Sequence, residues 1–302
     1  MLYCALLLSA ALTFSGTAWP LTVEDDRGVT VTLKAPAGRV VSLAPFLAEL
    51  VFAVGRGDRL VAVSEYSDYP PVARDLPRIG DAFSVNLEAV LALRPDLVLA
   101  WQSGNDPRVG DRFEAMGIPV FVLEPREIDD VPSALRRVGR LLGAGRVAED
   151  RARAFSEAIE AVRSEYSGRK TVRVFYQVAR NPLVTLNGSH MFTAVLDICG
   201  GTNVFGELGP VAPTVNREQV LARDPEAILI SSTIRNASEL IDYWSRYPSL
   251  TATRLDNLFL VDSDLINRQT PRLIEGARQI CGHLERAREK LSKDRRGAGD
   301  EM

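Results

Sequence analysis

The feature that most restricts the fold of this chain is a repeat inside it. Val85-Asn-Leu-Glu-Ala-Val-Leu-Ala-Leu-Arg-Pro-Asp-Leu-Val-Leu-Ala-Trp101 aligns without a gap with Val215-Asn-Arg-Glu-Gln-Val-Leu-Ala-Arg-Asp-Pro-Glu-Ala-Ile-Leu-Ile-Ser231, and eight of the seventeen positions are identical. Each copy reads as a capped helix, a proline-containing turn and a buried strand. Asn86 and Asn216 are the N-cap candidates, and Glu88 and Glu218 fall in the first turn, where the helix dipole favours negative charge. Two copies so far apart predict two similar α/β lobes. The alternative is a chance likeness between two ordinary helix–strand units.

The rest of the chain fits the two-lobe reading. Residues 21–33 alternate around Asp25-Asp26-Arg27-Gly28 and predict a short hairpin. Apolar runs at 39–43, 61–63, 96–100 and 120–123 predict strands with helical patterns between them, hence a mainly parallel sheet. From 147 to 166 the apolar residues Phe155, Ile159, Val162 and Tyr166 keep helix spacing, with no proline or glycine between Gly145 and Gly168. Strand–helix alternation then resumes at 172–177, 192–198, 227–231 and 259–261, and a final helix runs from Pro271 to about Leu291. The expected organisation is a leader at 1–18, a first lobe at 19–145, a connecting helix at 146–168, a second lobe at 169–292 and a frayed tail at 293–302. A single helical connector predicts only modest closure between the lobes.

Composition narrows the partners. The chain has 302 residues, 46% of them apolar, and 36 basic residues against 39 acidic ones give a net charge of −3. That balance suits a folded soluble protein and offers nucleic acid no basic stripe. Two histidines argue against a His-rich metal site. Residues 2–14 are nearly all apolar, too few to span a bilayer comfortably, and Gly16-Thr17-Ala18 offers a cleavage point. This predicts an exported chain, cut near Ala18. An uncleaved anchor is the alternative, because the segment before the apolar run carries no Lys or Arg. Without Cys4 two cysteines remain, Cys199 and Cys281, which suits one disulfide in an exported protein or else two buried thiols.

Motifs for catalysis are missing. Gly143-Ala-Gly145 follows a helix instead of a strand and reads as a helix–helix loop, not a dinucleotide fingerprint. There is no G-x-S-x-G, P-loop, C-x-x-C or H-E-x-x-H. His190 reads as a helix cap and His283 as structural. Tyr66 and Tyr69 read as loop aromatics against Pro70 and Pro71, and Trp101 either as core or as a residue at the ligand-bearing strand edge. Glu88 and Glu218 either complement helix dipoles or form a pair of acidic knobs for a two-fold symmetric partner.

Several segments carry a resemblance. Arg39-Val-Val-Ser-Leu-Ala-Pro45 with Glu49, Tyr66-Ser-Asp-Tyr-Pro-Pro71, Asn86-Leu-Glu88, Arg94-Pro-Asp-Leu-Val98, Ala100-Trp101, Cys199-Gly-Gly-Thr-Asn203, Arg217-Glu-Gln-Val220, and Ser263-Asp264 with Arg268 resemble the siderophore-, haem- and cobalamin-binding family of periplasmic proteins that serve ABC importers. The likeness covers residues 40–284 and is narrowest toward the vitamin B12 branch. It implies an α/β fold of two Rossmann-like lobes joined by one long backbone helix, the class III arrangement, with a corrinoid, cobalamin first, in the cleft between them. It implies no catalysis and no cofactor of the protein's own. By position, Tyr66 and Trp101 would line the pocket from the first lobe, and Asp264 and Arg268 would reach the ligand's amide side chains from the second. Cys199 and Cys281 would match the family disulfide. Glu88 and Glu218 would dock on arginines of the permease dimer, which works with its ATPase subunits, and the binding protein would be a monomer in the periplasm.

The chain departs from the family pattern at three pocket positions, where Ala82, Val184 and Ala212 replace large rings. Each ring would bury about 150–250 Å². Phe83, Leu183 or Met191 are the candidates to refill that space, with Phe83 counted among the ligand residues. A ferric siderophore or haem is the alternative ligand, and an exported enzyme acting on a small molecule is the alternative of another class.

Overall fold

The structure is a computed structural model describing residues 20–81, 84–232 and 237–300. The expected leader at 1–18, and with it Ala18 as the cleavage point, lies outside the described residues, as do Ala82 and Phe83. The described chain opens with an antiparallel hairpin of β1 (Leu21–Glu24) and β2 (Thr30–Leu33). Buried Asp25 ties it down by accepting the amides of Arg27, Val29 and Val122.

The first lobe follows as β3 (Val40–Ser42), α1 (Pro45–Ala53), β4 (Leu60–Val63), α2 (Leu87–Ala92), β5 (Leu97–Trp101), α3 (Pro107–Ala115), β6 (Val120–Leu123) and α4 (Asp130–Leu141). Its strands form a parallel sheet in the order β4-β3-β5-β6. Next comes α5 (Gly145–Tyr166), 22 residues and so about 33 Å long. The second lobe contains β7 (Val172–Gln177), α6 (Met191–Ile198), β8 (Gly201–Asn203), α7 (Arg217–Arg223), β9 (Ala227–Ser232), α8 (Ala237–Ser245), α9 (Thr251–Arg254), β10 (Leu258–Asp262), α10 (Ser263–Ile266) and α11 (Leu273–Asp300). Its parallel sheet has the order β10-β9-β7-β8.

The repeat extends to topology. In each sheet the first strand (β3, β7) is flanked by the second (β4, β8) on one side and the third (β5, β9) on the other, with the fourth beyond the third. The repeated strands β5 and β9 hold equivalent places in separate sheets. Both expected caps form: Asn86 accepts the Ala89 amide at 3.0 Å and Asn216 the Gln219 amide at 2.8 Å. Gln219 returns a bond from the Asn216 amide, a full capping box.

Three apolar clusters hold the layers. One covers the outer face of the first sheet (Val41, Ala62, Val98, Phe113), and another that of the second (Phe175, Phe205, Ile228, Trp244). The third is continuous through both lobes and takes in Ala148, Ala152, Phe155, Ile159 and Val162 along one stripe of α5. That stripe packs on α4 of the first lobe and on α6 and α11 of the second. Gly139 of α4 has no room for a side chain, since a Cβ there would meet that of Ala148 at 2.1 Å.

Two boundaries differ from the sequence expectation. The connecting helix ends at Tyr166, before residue 168, because Gly168 takes the left-handed conformation at φ +70°. The final helix runs on to Asp300 through the segment expected to fray. Ion pairs from Arg254 to Asp294 and from Arg295 to Glu226 fasten this extension to the second lobe.

Candidate functional site

In sheets of this topology the chain turns opposite ways on leaving neighbouring strands, and a crevice opens at their carboxyl ends. The two crevices lie after β3 and β5 in the first lobe and after β7 and β9 in the second. In the first, Asn105 joins the strand ends: its Nδ2 donates to the Leu43 carbonyl at 3.1 Å and its Oδ1 accepts the Trp101 amide at 2.7 Å. Trp101 is half-buried and meets Phe46 edge-on at 5.9 Å. A Cβ at Gly104 would fall 1.8 Å from the indole, so glycine there lets the backbone lie against the ring. A cavity of about 210 Å³ opens here, lined by Leu43, Ala100, Trp101 and Asn105 among others.

In the second lobe aromatic residues fill the equivalent position. Tyr176 is fully buried, stacks on Phe192 at 4.0 Å and donates to Asn267 at 3.4 Å. Burial pushes its phenol up to about 12. Gln177 accepts from the Trp244 indole at 2.6 Å.

The loops beyond the strands bring the lobes together. Arg268, 11% exposed, donates from Nη1 to Glu49 of α1 and to Asp68, each at 2.8 Å. Its Nη2 donates to the Tyr66 carbonyl at 3.1 Å and pairs with Asp264 at 2.9 Å. Arg272 adds a 3.4 Å contact to the same Glu49 oxygen and lies 3.9 Å over the Tyr69 ring. Burial pushes the Glu49 carboxyl up, and the hydrogen bond and charge of Arg268 offset this only in part. Burial also works to raise Asp68, but there Arg268 prevails and the carboxyl sits below its ordinary value. Asp264 is raised, chiefly by burial.

Of the residues expected at the ligand, Tyr66, Asp264 and Arg268 thus meet in one cluster. Tyr66 has a left-handed backbone at φ 64°, costly for a bulky residue, and the residue is 76% exposed. Neither Tyr66 nor Tyr69, which is 42% exposed, is sunk against the prolines that follow. Trp101 stands apart from the cluster but is linked to it through α1, where Phe46 touches the indole and Glu49, three residues on along the same face, holds Arg268.

Other expectations resolve as follows. Cys199 and Cys281 form a disulfide. Glu88 and Glu218 are both exposed, one on each lobe. Val184 is half-buried and Ala212 exposed, whereas Leu183 and Met191 are buried members of the apolar clusters. His190 caps α6, and its pKa is lowered by burial to about 4. It lines a cavity of about 490 Å³ between the lobes with Arg126, Arg163 and Asp197, which none of Tyr66, Trp101, Asp264 and Arg268 borders. Among the described residues no group of three or more His, Cys, Asp or Glu is placed to hold a metal ion, and no helix is long and apolar enough to cross a membrane.

Sequence reasoning assigned no role to Glu49, Asp68, Arg272 or Asn105. For Glu49 a signal existed: it is the sole charge in the helix Pro-Phe-Leu-Ala-Glu-Leu-Val-Phe-Ala, and a lone carboxylate amid apolar residues implies a distant cation.

The sequence profile of the periplasmic binding protein family matches residues 40–265. The chain belongs to that family. Among curated relatives, the vitamin B12-binding protein of Vibrio cholerae is 33% identical over 255 residues, 84% of this chain and 92% of the relative. The vitamin B12-binding protein of Yersinia pestis is 36% identical over 255 residues, 84% of this chain and 89% of the relative. The crystal structure of the periplasmic vitamin B12-binding protein BtuF of Vibrio cholerae superposes with a TM-score of 0.79 at 33% identity, covering 84% of this chain and 98% of that one. A haem-binding family member, RhuT of Roseiflexus, shares the fold at a TM-score of 0.74 and 23% identity, over 83% of this chain and 99% of that one. The proteins matched here are binding proteins, which agrees with the lack of catalytic motifs in the sequence.

Proposed function

We propose that this chain is the periplasmic substrate-binding component of an ABC importer, capturing a corrinoid, foremost cobalamin, between its lobes and delivering it to the permease. The observation that carries the reading is the meeting of Tyr66, Asp264 and Arg268 at the lobe boundary, one residue from the first lobe and two from the second. Relatedness to vitamin B12-binding proteins at 33% and 36% identity supports the choice of ligand. The exposed Tyr66 ring and the indole of Trp101 offer apolar faces to a macrocycle. The Asp264 carboxylate accepts hydrogen bonds from amide side chains, and the Nε–H of Arg268, which its four contacts through Nη1 and Nη2 leave over, donates them. No bond is made or broken. The cobalt arrives inside the ligand as cargo, so no metal ligand is required of the chain.

In this reading residues 1–18 are the export leader, the lobes are 19–145 and 169–292, and the protein acts as a monomer. Glu88 and Glu218, one per lobe, meet cationic side chains on the permease dimer. Isothermal titration with cyanocobalamin, haemin and a ferric hydroxamate tests the ligand. One-to-one binding of cyanocobalamin, tighter than either alternative, is expected. Binding of haemin or the siderophore without cyanocobalamin overturns the corrinoid assignment and keeps the binding-protein one.

A further inference from the structure

Glu49 is buried at 3% exposure on α1, in the first lobe, yet both of its cationic partners come from the second. A carboxylate in such a place is costly unless charged partners hold it, and a partner lost leaves the other stranded. Its chief partner, Arg268, makes three of its four contacts with the first lobe: Glu49, Asp68 and the Tyr66 carbonyl. The guanidinium fork is thereby fixed in direction by groups 200 or more residues away in sequence. Arg272 repeats the crossing, with its head over the Tyr69 ring and a nitrogen toward Glu49. A cavity of about 340 Å³ borders this crossing and is lined by Glu49, Tyr69, Arg151 of α5, Arg272 and Glu275 among others. The crossing therefore stands where both lobes approach the connecting helix.

We infer that Glu49 is a positioning residue for capture: it clasps the 264–272 segment of the second lobe to the 66–69 loop of the first, and so fixes Arg268 and the tyrosine loop in the setting that receives the ligand. The inference rests on the reading of this boundary as the capture site. Binding through an Arg268 held in place loses less freedom than binding through a loose one, which is the advantage of such preorganisation.

Two measurements on the full chain test it. Hydrogen–deuterium exchange by mass spectrometry compares wild type, Glu49→Gln and Arg268→Gln without ligand. Each variant should speed exchange several-fold in peptides covering 64–70 and 262–272 together, two regions on different lobes, while peptides of β3 and β7 keep wild-type rates. Unchanged exchange in either region overturns the clasp. Titration with cyanocobalamin then reads the consequence. Glu49→Gln should weaken binding about tenfold, and the double variant should bind no worse than Arg268→Gln alone. Independent, multiplying losses would mean that Glu49 acts by general destabilisation and would overturn the positioning role. If Glu49→Gln fails to fold, Asp68→Asn takes its place on the same guanidinium nitrogen. Failure of wild type to bind cyanocobalamin would overturn the corrinoid reading only, and the exchange result would still decide the clasp.

Discussion

Acid should weaken the start of α6, and His190 sets the size of the effect. Its Nδ1 accepts the Phe192 amide at 3.0 Å. Only a neutral ring can accept there, since the protonated ring carries a hydrogen on both nitrogens. Burial lowers the pKa from 6.5 to about 4. Between those values the unfolded chain takes up a proton that the folded chain refuses. The contribution of His190 is therefore complete above pH 6.5 and is lost as the pH falls toward about 4. At about 1.4 kcal/mol per unit the full gap is worth about 3.5 kcal/mol, of which about 3 kcal/mol is lost by pH 4. His283 responds in the same window, lowered to about 4 by burial and then by the Arg286 charge. A His190→Ser variant separates the two, because serine also caps a helix but does not titrate. Urea unfolding followed by circular dichroism, from about pH 7.5 to about pH 4, gives the stability difference between wild type and variant at each pH. That difference should move in favour of the variant by up to about 3 kcal/mol as acid is added. A difference that stays constant across the range would refute the reasoning, whatever the slope of either protein alone.

Three further predictions follow from individual contacts. Replacing Cys199 and Cys281 by alanine opens a loop of sequence separation 82, and the chain-entropy account assigns up to about 4.5 kcal/mol to it, read as a lower unfolding midpoint in the double variant. Gly104→Ala would force the Trp101 indole from its place, so the variant should show altered tryptophan fluorescence and weaker cyanocobalamin binding, with the second lobe unaffected by hydrogen exchange. Glu218 is paired with Arg217, whereas Glu88 has no ion pair among the described residues. Glu88→Ala should therefore weaken association with the permease in lipid nanodiscs more than Glu218→Ala does; equal losses would count against this asymmetry, and no loss in either against docking through these residues.

What could be read from the sequence was what local chemistry determines. The caps at Asn86 and Asn216, the prolines that end each helix and the apolar runs of β5 and β9 are all encoded within a few residues, so both lobes could be seen before any coordinates. β8 was not, because Gly201-Thr-Asn203 has no apolar alternation and is a strand only through its pairing with β7. The end of α11 was misjudged for a similar reason. Its last turns are polar and contain Gly297, and what holds them in place is charge pairing to Asp294 and Arg295 from distant elements. The cluster at Arg268 lay furthest from view. Arg268 and Asp264 could be singled out, but the carboxylates and the carbonyl that hold the guanidinium come from positions 49, 66 and 68.

The two sheets share one topology, yet the chain has closed their crevices differently. Asn105 and the Trp101–Phe46 contact leave a cavity at the first, while the Tyr176–Phe192 stack and the Gln177–Trp244 bond fill the second. Both arrangements are fixed by buried hydrogen bonds and ring packing, so neither crevice wall can adapt much to a ligand. The connector cannot supply the adaptation either. The stripe from Ala148 to Val162 belongs to one apolar cluster continuous through both lobes, and a wide hinge motion would have to break that cluster. The loops at 64–71 and 262–272 are tied to each other by the charged crossing, so adjustment is left to exposed side chains such as that of Tyr66. A rigid pair of lobes with its charge held at the boundary favours capture in a preformed setting over capture by closure.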